Sequence, residues 1–347
     1  MNSTDRPRLA VRSPADLIAA VPYLLGFHPA DSVVVVALRE KQIIFAARAD
    51  LTPSGADPGP VSRYLAAVIG RQGADSATVV GYGPAVRVTV TLDAVRRELD
   101  EVGLAVLDAL RVEDDRYWSY LCVDPGCCPP EGTRYDPRAS QVTAAAVFAG
   151  QVALPDRAAL TAQVAPVEGP VREAVREATV RARERLGDLL GAVNPEELIS
   201  GQAMIGAARQ AHHAAVERTR RGERSTDDEI AWLGVLLTFV PARDVVWERT
   251  DGADEHIALW TDVFRRSEPE VTAAPGCLLA FAAFRAGQGA LAAVALERVL
   301  ARNPDYSMAL LLDDLLRRGM PPARLANWPV LNDKRTSRRR RRRRGGR

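Results

Sequence analysis

Long apolar runs, aromatic residues and cysteines are all scarce in this 347-residue sequence. No stretch approaches the roughly 20 consecutive apolar residues that span a bilayer, so no membrane contact is expected. The apolar segment from Leu17 to Phe27 follows Asp16, contains Pro22 and lacks a small-residue cleavage site, which argues against a secretory leader. Four cysteines are too few for a disulfide scaffold. A reduced, cytoplasmic setting is therefore expected. Aromatic residues make up only 5% of the chain, so the core must lean on Ala, Val and Leu. Hydrophobic content of 47% and charged content of 26% are ordinary for a globular protein.

A formal net charge of +2 conceals an asymmetry. The last residues carry Lys334, Arg335, Arg338, Arg339, Arg340, Arg341, Arg342, Arg343, Arg344 and Arg347 without an acid among them. Without these ten the body has 36 basic against 44 acidic residues. An acidic body does not offer the basic surface that phosphate binding needs. The arginine run is expected to be disordered, because like charges repel and bury nothing. It could contact a polyanion non-specifically. Lacking interleaved aromatics, it offers charge and no base reading. The competing reading is a solvated tail with no partner.

The length suggests two domains. Ser13 can cap a short helix with Pro14 in its first turn, running to about Val21 and closed by Pro22. The unbroken run Val33 to Leu38 reads as a strand buried on both faces. Ile43 to Leu51 returns as its hairpin partner. A helix is expected near Val61 to Arg71 and a strand over Ala77 to Tyr82. Val88, Leu92, Val95, Leu99 and Val102 mark one face of a helix. Leu104 to Val112 and Arg116 to Val123 read as further strands. The order predicts an α/β domain over 1–139, a mixed sheet with packed helices. Residues 140–330 read as all-helical, with one helix pair near the end resembling a tetratricopeptide unit and offering a surface for a protein partner. A long helix is expected from Pro195, with Leu198, Ile205 and His212 on its packing stripe. Residues 331–347 form the arginine-rich tail.

The richest segment for chemistry is Arg116-Tyr117-Trp118-Ser119-Tyr120-Leu121-Cys122, followed by Asp124-Pro125-Gly126-Cys127-Cys128-Pro129-Pro130-Glu131-Gly132. Cys122, Cys127 and Cys128 suggest zinc, but structural zinc usually takes two spaced pairs. Here there is no second pair, adjacent cysteines rarely both reach one ion, and a fourth ligand such as His28 would have to be imported. Oxidation pairing Cys122 with one of the adjacent thiols is a further alternative. The favoured reading is small buried thiols beside a rigid turn, with no cofactor. A second candidate is polar. If the first two strands form a hairpin, His28, Asp31, Ser32, Arg48 and Asp50 gather at one sheet edge. Arg116, Trp118 and Tyr120 share a strand face. A histidine with carboxylates could do acid–base work and an arginine could hold an anion. The bland alternative is a turn with Arg48 paired to a neighbouring aspartate. Gly81-Tyr82-Gly83-Pro84 lacks phosphate-loop spacing and reads as a plain turn.

Pro22-Tyr23-Leu24-Leu25-Gly26-Phe27-His28-Pro29, Arg48-Ala49-Asp50-Leu51 and the Arg116 to Pro129 stretch together resemble domain-of-unknown-function family 4192, from about Ser13 to Pro321. The resemblance implies a cytoplasmic protein of high-GC actinobacteria and carries no catalytic residues over. The leading expectation is a non-enzymatic protein that binds a partner or ligand. The alternatives are an enzyme or small-ligand sensor at the polar sheet edge, and polyanion binding by the tail.

Overall fold

The computed structural model describes residues 11–40 and 42–325. The arginine run, and every expectation resting on it, lies outside them. Helix α1 (Pro14–Leu25) starts where Ser13 accepts a bond from the Asp16 amide. It runs through Pro22, which the sequence reading took as its end, and stops at Gly26 in a left-handed conformation with φ +83°. A proline in the last turn forfeits only one amide bond, whereas Gly26 can adopt the left-handed closure and its amide bonds the Pro22 carbonyl at 2.8 Å.

Strands β1 (Ser32–Arg39) and β2 (Gln42–Asp50) form the expected antiparallel hairpin. After α2 (Gly59–Gly70) come β3 (Ser76–Tyr82), α3 (Ala85–Glu101), β4 (Ala105–Glu113), β5 (Arg116–Ser119) and the short β6 (Thr133–Arg134). The sheet order is β2-β1-β3-β4-β5-β6, with β3 and β4 parallel and every other pair antiparallel. Helices cover both faces. Leu65, Ile69, Val88, Leu92 and Val95 of α2 and α3 pack on Val33, Val35 and Val79, while Leu17, Ile18 and Val21 of α1 pack with Val34, Val36, Val80 and Leu110. This double cover explains why β1 is apolar at consecutive positions. Gly81, expected in a turn with Gly83 and Pro84, is the penultimate residue of β3 and has a packing role. A Cβ there would come within 2.4 Å of Val88 Cγ1, so glycine lets α3 lie close on the sheet.

The remainder is helical: α4 (Gln141–Phe148), α5 (Arg157–Gln163), α6 (Gly169–Gly191), α7 (Pro195–Ser200), α8 (Gln202–Arg220), α9 (Asp227–Leu236), α10 (Val240–Trp247), α11 (Asp254–Arg266), α12 (Ala273–Arg285), α13 (Gly289–Arg302) and α14 (Ser307–Arg317). The helix expected from Pro195 is broken at Gly201, whose φ is +65° and whose missing Cβ leaves room for the Phe239 ring. Leu198 is consequently exposed, while Ile205 and His212 are buried. Among the described residues no single helix is long and apolar enough to cross a membrane. The sheet and the helical part are joined closely. Phe27 sits in the helical core, its strand-like segment pairs with Leu154, and Gln72 Nε2 donates to the Gly319 carbonyl at 2.5 Å.

Candidate functional site

Arg116 and Trp118 of β5 and Tyr120 just after it lie on one face, and each is engaged. Trp118 lies opposite Arg111 of β4, whose guanidinium stacks 3.6 Å from the indole centroid and pairs with Glu113. The Tyr120 hydroxyl meets Thr89 Oγ1 of α3 at 2.7 Å. Two of the three then hold the returning end of the loop that follows. Trp118 Nε1 donates to the Pro130 carbonyl at 3.0 Å, and Arg116 Nη1 donates to the carbonyls of Glu131 at 3.0 Å and Gly132 at 2.7 Å. Gly132 has φ +82°, and a Cβ on it would lie 2.4 Å from Trp118 Cε2. Only glycine fits there without displacing the indole.

The outgoing end of the loop is fixed by Ser119. Its hydroxyl donates to Asp108 Oδ1 at 2.7 Å and accepts from the amides of Leu121 at 3.2 Å and Cys122 at 3.1 Å. Those amides are thereby withdrawn from strand pairing, which is why β5 ends at Ser119 and not near Val123 as its apolar content suggests. Asp124 folds the tip. Its carboxylate accepts from the Gly126 amide at 2.9 Å, and its carbonyl accepts from the amides of Cys127 at 3.1 Å and Cys128 at 2.7 Å.

The sulfurs of Cys122, Cys127 and Cys128 consequently lie within 4.8 Å of one another. Adjacent cysteines rarely both reach one ion. The turn at Asp124 brings both inward instead. Nor are these buried hydrophobic thiols: Cys127 is exposed and the other two are half-buried, whereas Cys277 is the buried one. The Cys122 thiol is held below its ordinary range, first by a hydrogen bond from Cys128 and then by the Asp124 backbone amide. Cys128, acting as donor to Cys122, is pushed up to about 12. His28, named as an imported fourth ligand, belongs to the segment before β1 and is not in this group.

The hairpin does bring the two polar segments together. Ser32 is opposite Asp50, and the Leu51 amide bonds the Asp31 carbonyl at 2.8 Å. Arg48 forms an ion pair with Asp50 at 2.6 Å and lies 5.9 Å from the Phe27 ring centroid. Asp31, at φ +44°, pairs with Arg87 of α3 at 2.5 Å. Ser32 Oγ donates to the Ala30 carbonyl at 2.6 Å, and the exposed His28 donates its backbone amide to the Leu154 carbonyl at 2.9 Å. The corner therefore holds internally matched charges. Arg116, Trp118 and Tyr120 are not part of it. Arg48 pairs with Val34 on the α1 face, whereas Tyr120 packs on the α2 and α3 face. Four strand steps separate β2 from β5, about 19 Å at the usual strand spacing. The eight residues thus fall into two separate groups and do not line one pocket.

Sequence reasoning missed Arg87. A cation in the first turn of a helix opposes the helix dipole, and that mismatch was the signal of an acidic partner. It also missed a stack in the helical part: the ring of His212 lies 5.6 Å from those of both His256 and Trp260, centroid to centroid. His212 was recognised as packed, but its partners lie on α11, too distant in sequence to infer.

No curated protein and no solved structure matches the chain. Residues 14–323 match the family described as Domain of unknown function (DUF4192), a span that covers the sheet, the thiol loop and every α-helix from α1 to α14. The chain belongs to that family.

Proposed function

We propose that this chain is a non-enzymatic binding protein whose ligand-contacting unit is the thiol loop after β5. One observation carries the reading: three sulfurs converge within 4.8 Å on a loop clamped at both ends. Pre-organisation of this kind lowers the ordering cost of binding. Ligand classes with high affinity for neighbouring thiolates are soft electrophiles. The polar corner is less suited, since Arg48, Asp50, Asp31 and Arg87 already satisfy one another. A cytoplasmic, reducing setting keeps the thiols available.

Phenylarsine oxide, which bridges neighbouring thiols, tests this. One equivalent added to the reduced chain is expected to protect at least two of Cys122, Cys127 and Cys128 from maleimide, as read by peptide mass. Undiminished alkylation of all three contradicts the reading.

A further inference from the structure

Resting on the thiol-loop reading, we propose that Cys122, Cys127 and Cys128 bind one zinc ion through three thiolates and leave a fourth position open to an external donor. The sulfurs of a tetrahedral zinc with bonds of about 2.3 Å stand about 3.8 Å apart. The three here lie within 4.8 Å, so closing on an ion takes contraction of no more than about an ångström. Sulfur donors select zinc or copper(I) among common ions, and iron–sulfur clusters ordinarily take four cysteines. Zinc is the closer match, because three protein ligands plus one exchangeable position is a recurrent zinc arrangement.

A second, independent feature points the same way. Asp124 accepts the amides of Cys127 and Cys128 through its carbonyl, which folds the two adjacent cysteines back toward Cys122. Ser119 holds the amide of Cys122 and is itself held by Asp108. These are the outer contacts that would keep the ligand-bearing turn in shape. On this reading Arg116 and Trp118 act as positioning residues, anchoring the far end of the loop.

Binding releases the thiol protons to solvent and changes no oxidation state. Cys127 is exposed, so a water or an imidazole from solvent could reach the ion and complete the shell.

Cobalt(II) titration of the reduced full-length chain under nitrogen tests the proposal. A sulfur-to-cobalt charge-transfer band saturating at one ion per chain is expected, and one equivalent of zinc should bleach it. Cys127→Ser and Cys128→Ser should each abolish stoichiometric binding, while Cys277→Ser leaves it unchanged. Ser119→Ala should weaken zinc binding about tenfold, as loss of an outer contact does. Absence of the band while phenylarsine oxide still protects the thiols overturns the zinc inference and leaves the thiol-loop reading standing. Absence of both overturns both. Retention of copper(I) in preference to zinc, in a competition containing both ions with a chelator, overturns the choice of metal.

Discussion

His212 is 3% exposed, and its Nε2 has no hydrogen-bond partner among the described residues. Burial pushes its pKa down from 6.5 to about 3, with the neighbouring His256 adding to the effect. The folded chain therefore keeps this ring neutral where the unfolded chain takes up a proton. Stability attributable to it is intact above pH 6.5 and is lost as the pH falls from there toward 3, at about 1.4 kcal/mol per pH unit at the steepest. Urea denaturation at pH 6.5 and 5 should show this loss in the native sequence and a shallower one in His212→Phe; equal slopes would remove His212 as the cause. Gly132 offers a second test. Alanine there meets both the positive φ and the Trp118 ring, and should cost about 1–3 kcal/mol in urea denaturation while reducing arsenical protection of the thiols. The candidate cysteines were visible in the sequence, but the roles of Gly132 and Ser119 were not. Each depends on where Trp118 or Asp108 stands after folding.

At the scale of elements, periodicity carried well wherever burial was simple. β1, α2, β3, α3 and β4 stand close to the expected spans, because their apolar positions match a period of two or 3.6 or form one unbroken run. The failures came from local hydrogen bonding and tertiary fit. Ser119 shortened β5 by capturing two amides, β6 is only two residues long, and Gly201 split the helix after Pro195 because the Phe239 ring fills the space beside it. The start of α9 shows the opposite case. Thr226 accepts from the Glu229 amide and the Glu229 side chain accepts from the Thr226 amide, a reciprocal cap written in the sequence Thr226-Asp227-Asp228-Glu229. Thr226→Ala should destabilise the protein by about 1 kcal/mol in urea denaturation. No loss would mean that packing of α9 on α6 overrides the cap.

Across the whole molecule, the sheet and the helices share structure through Phe27, which belongs to the helical core yet lies just before β1 and under Arg48. Phe27→Ala should cost about 3–5 kcal/mol and lower the thermal midpoint of both parts together in calorimetry; a shift confined to one of two separate transitions would show that the parts unfold independently. Global arrangement was the level least accessible from sequence. The hairpin placed Asp50 beside Ser32 as read, but strand order was not inferable from local pattern. That order put Arg116 and Trp118 four strands away from β2, where they clamp a thiol loop and do not line a polar pocket. The most direct measurement is X-ray absorption at the zinc edge on the reduced, zinc-loaded chain. The account predicts three sulfurs at about 2.3 Å and one lighter donor; a first shell of oxygen and nitrogen alone would contradict it.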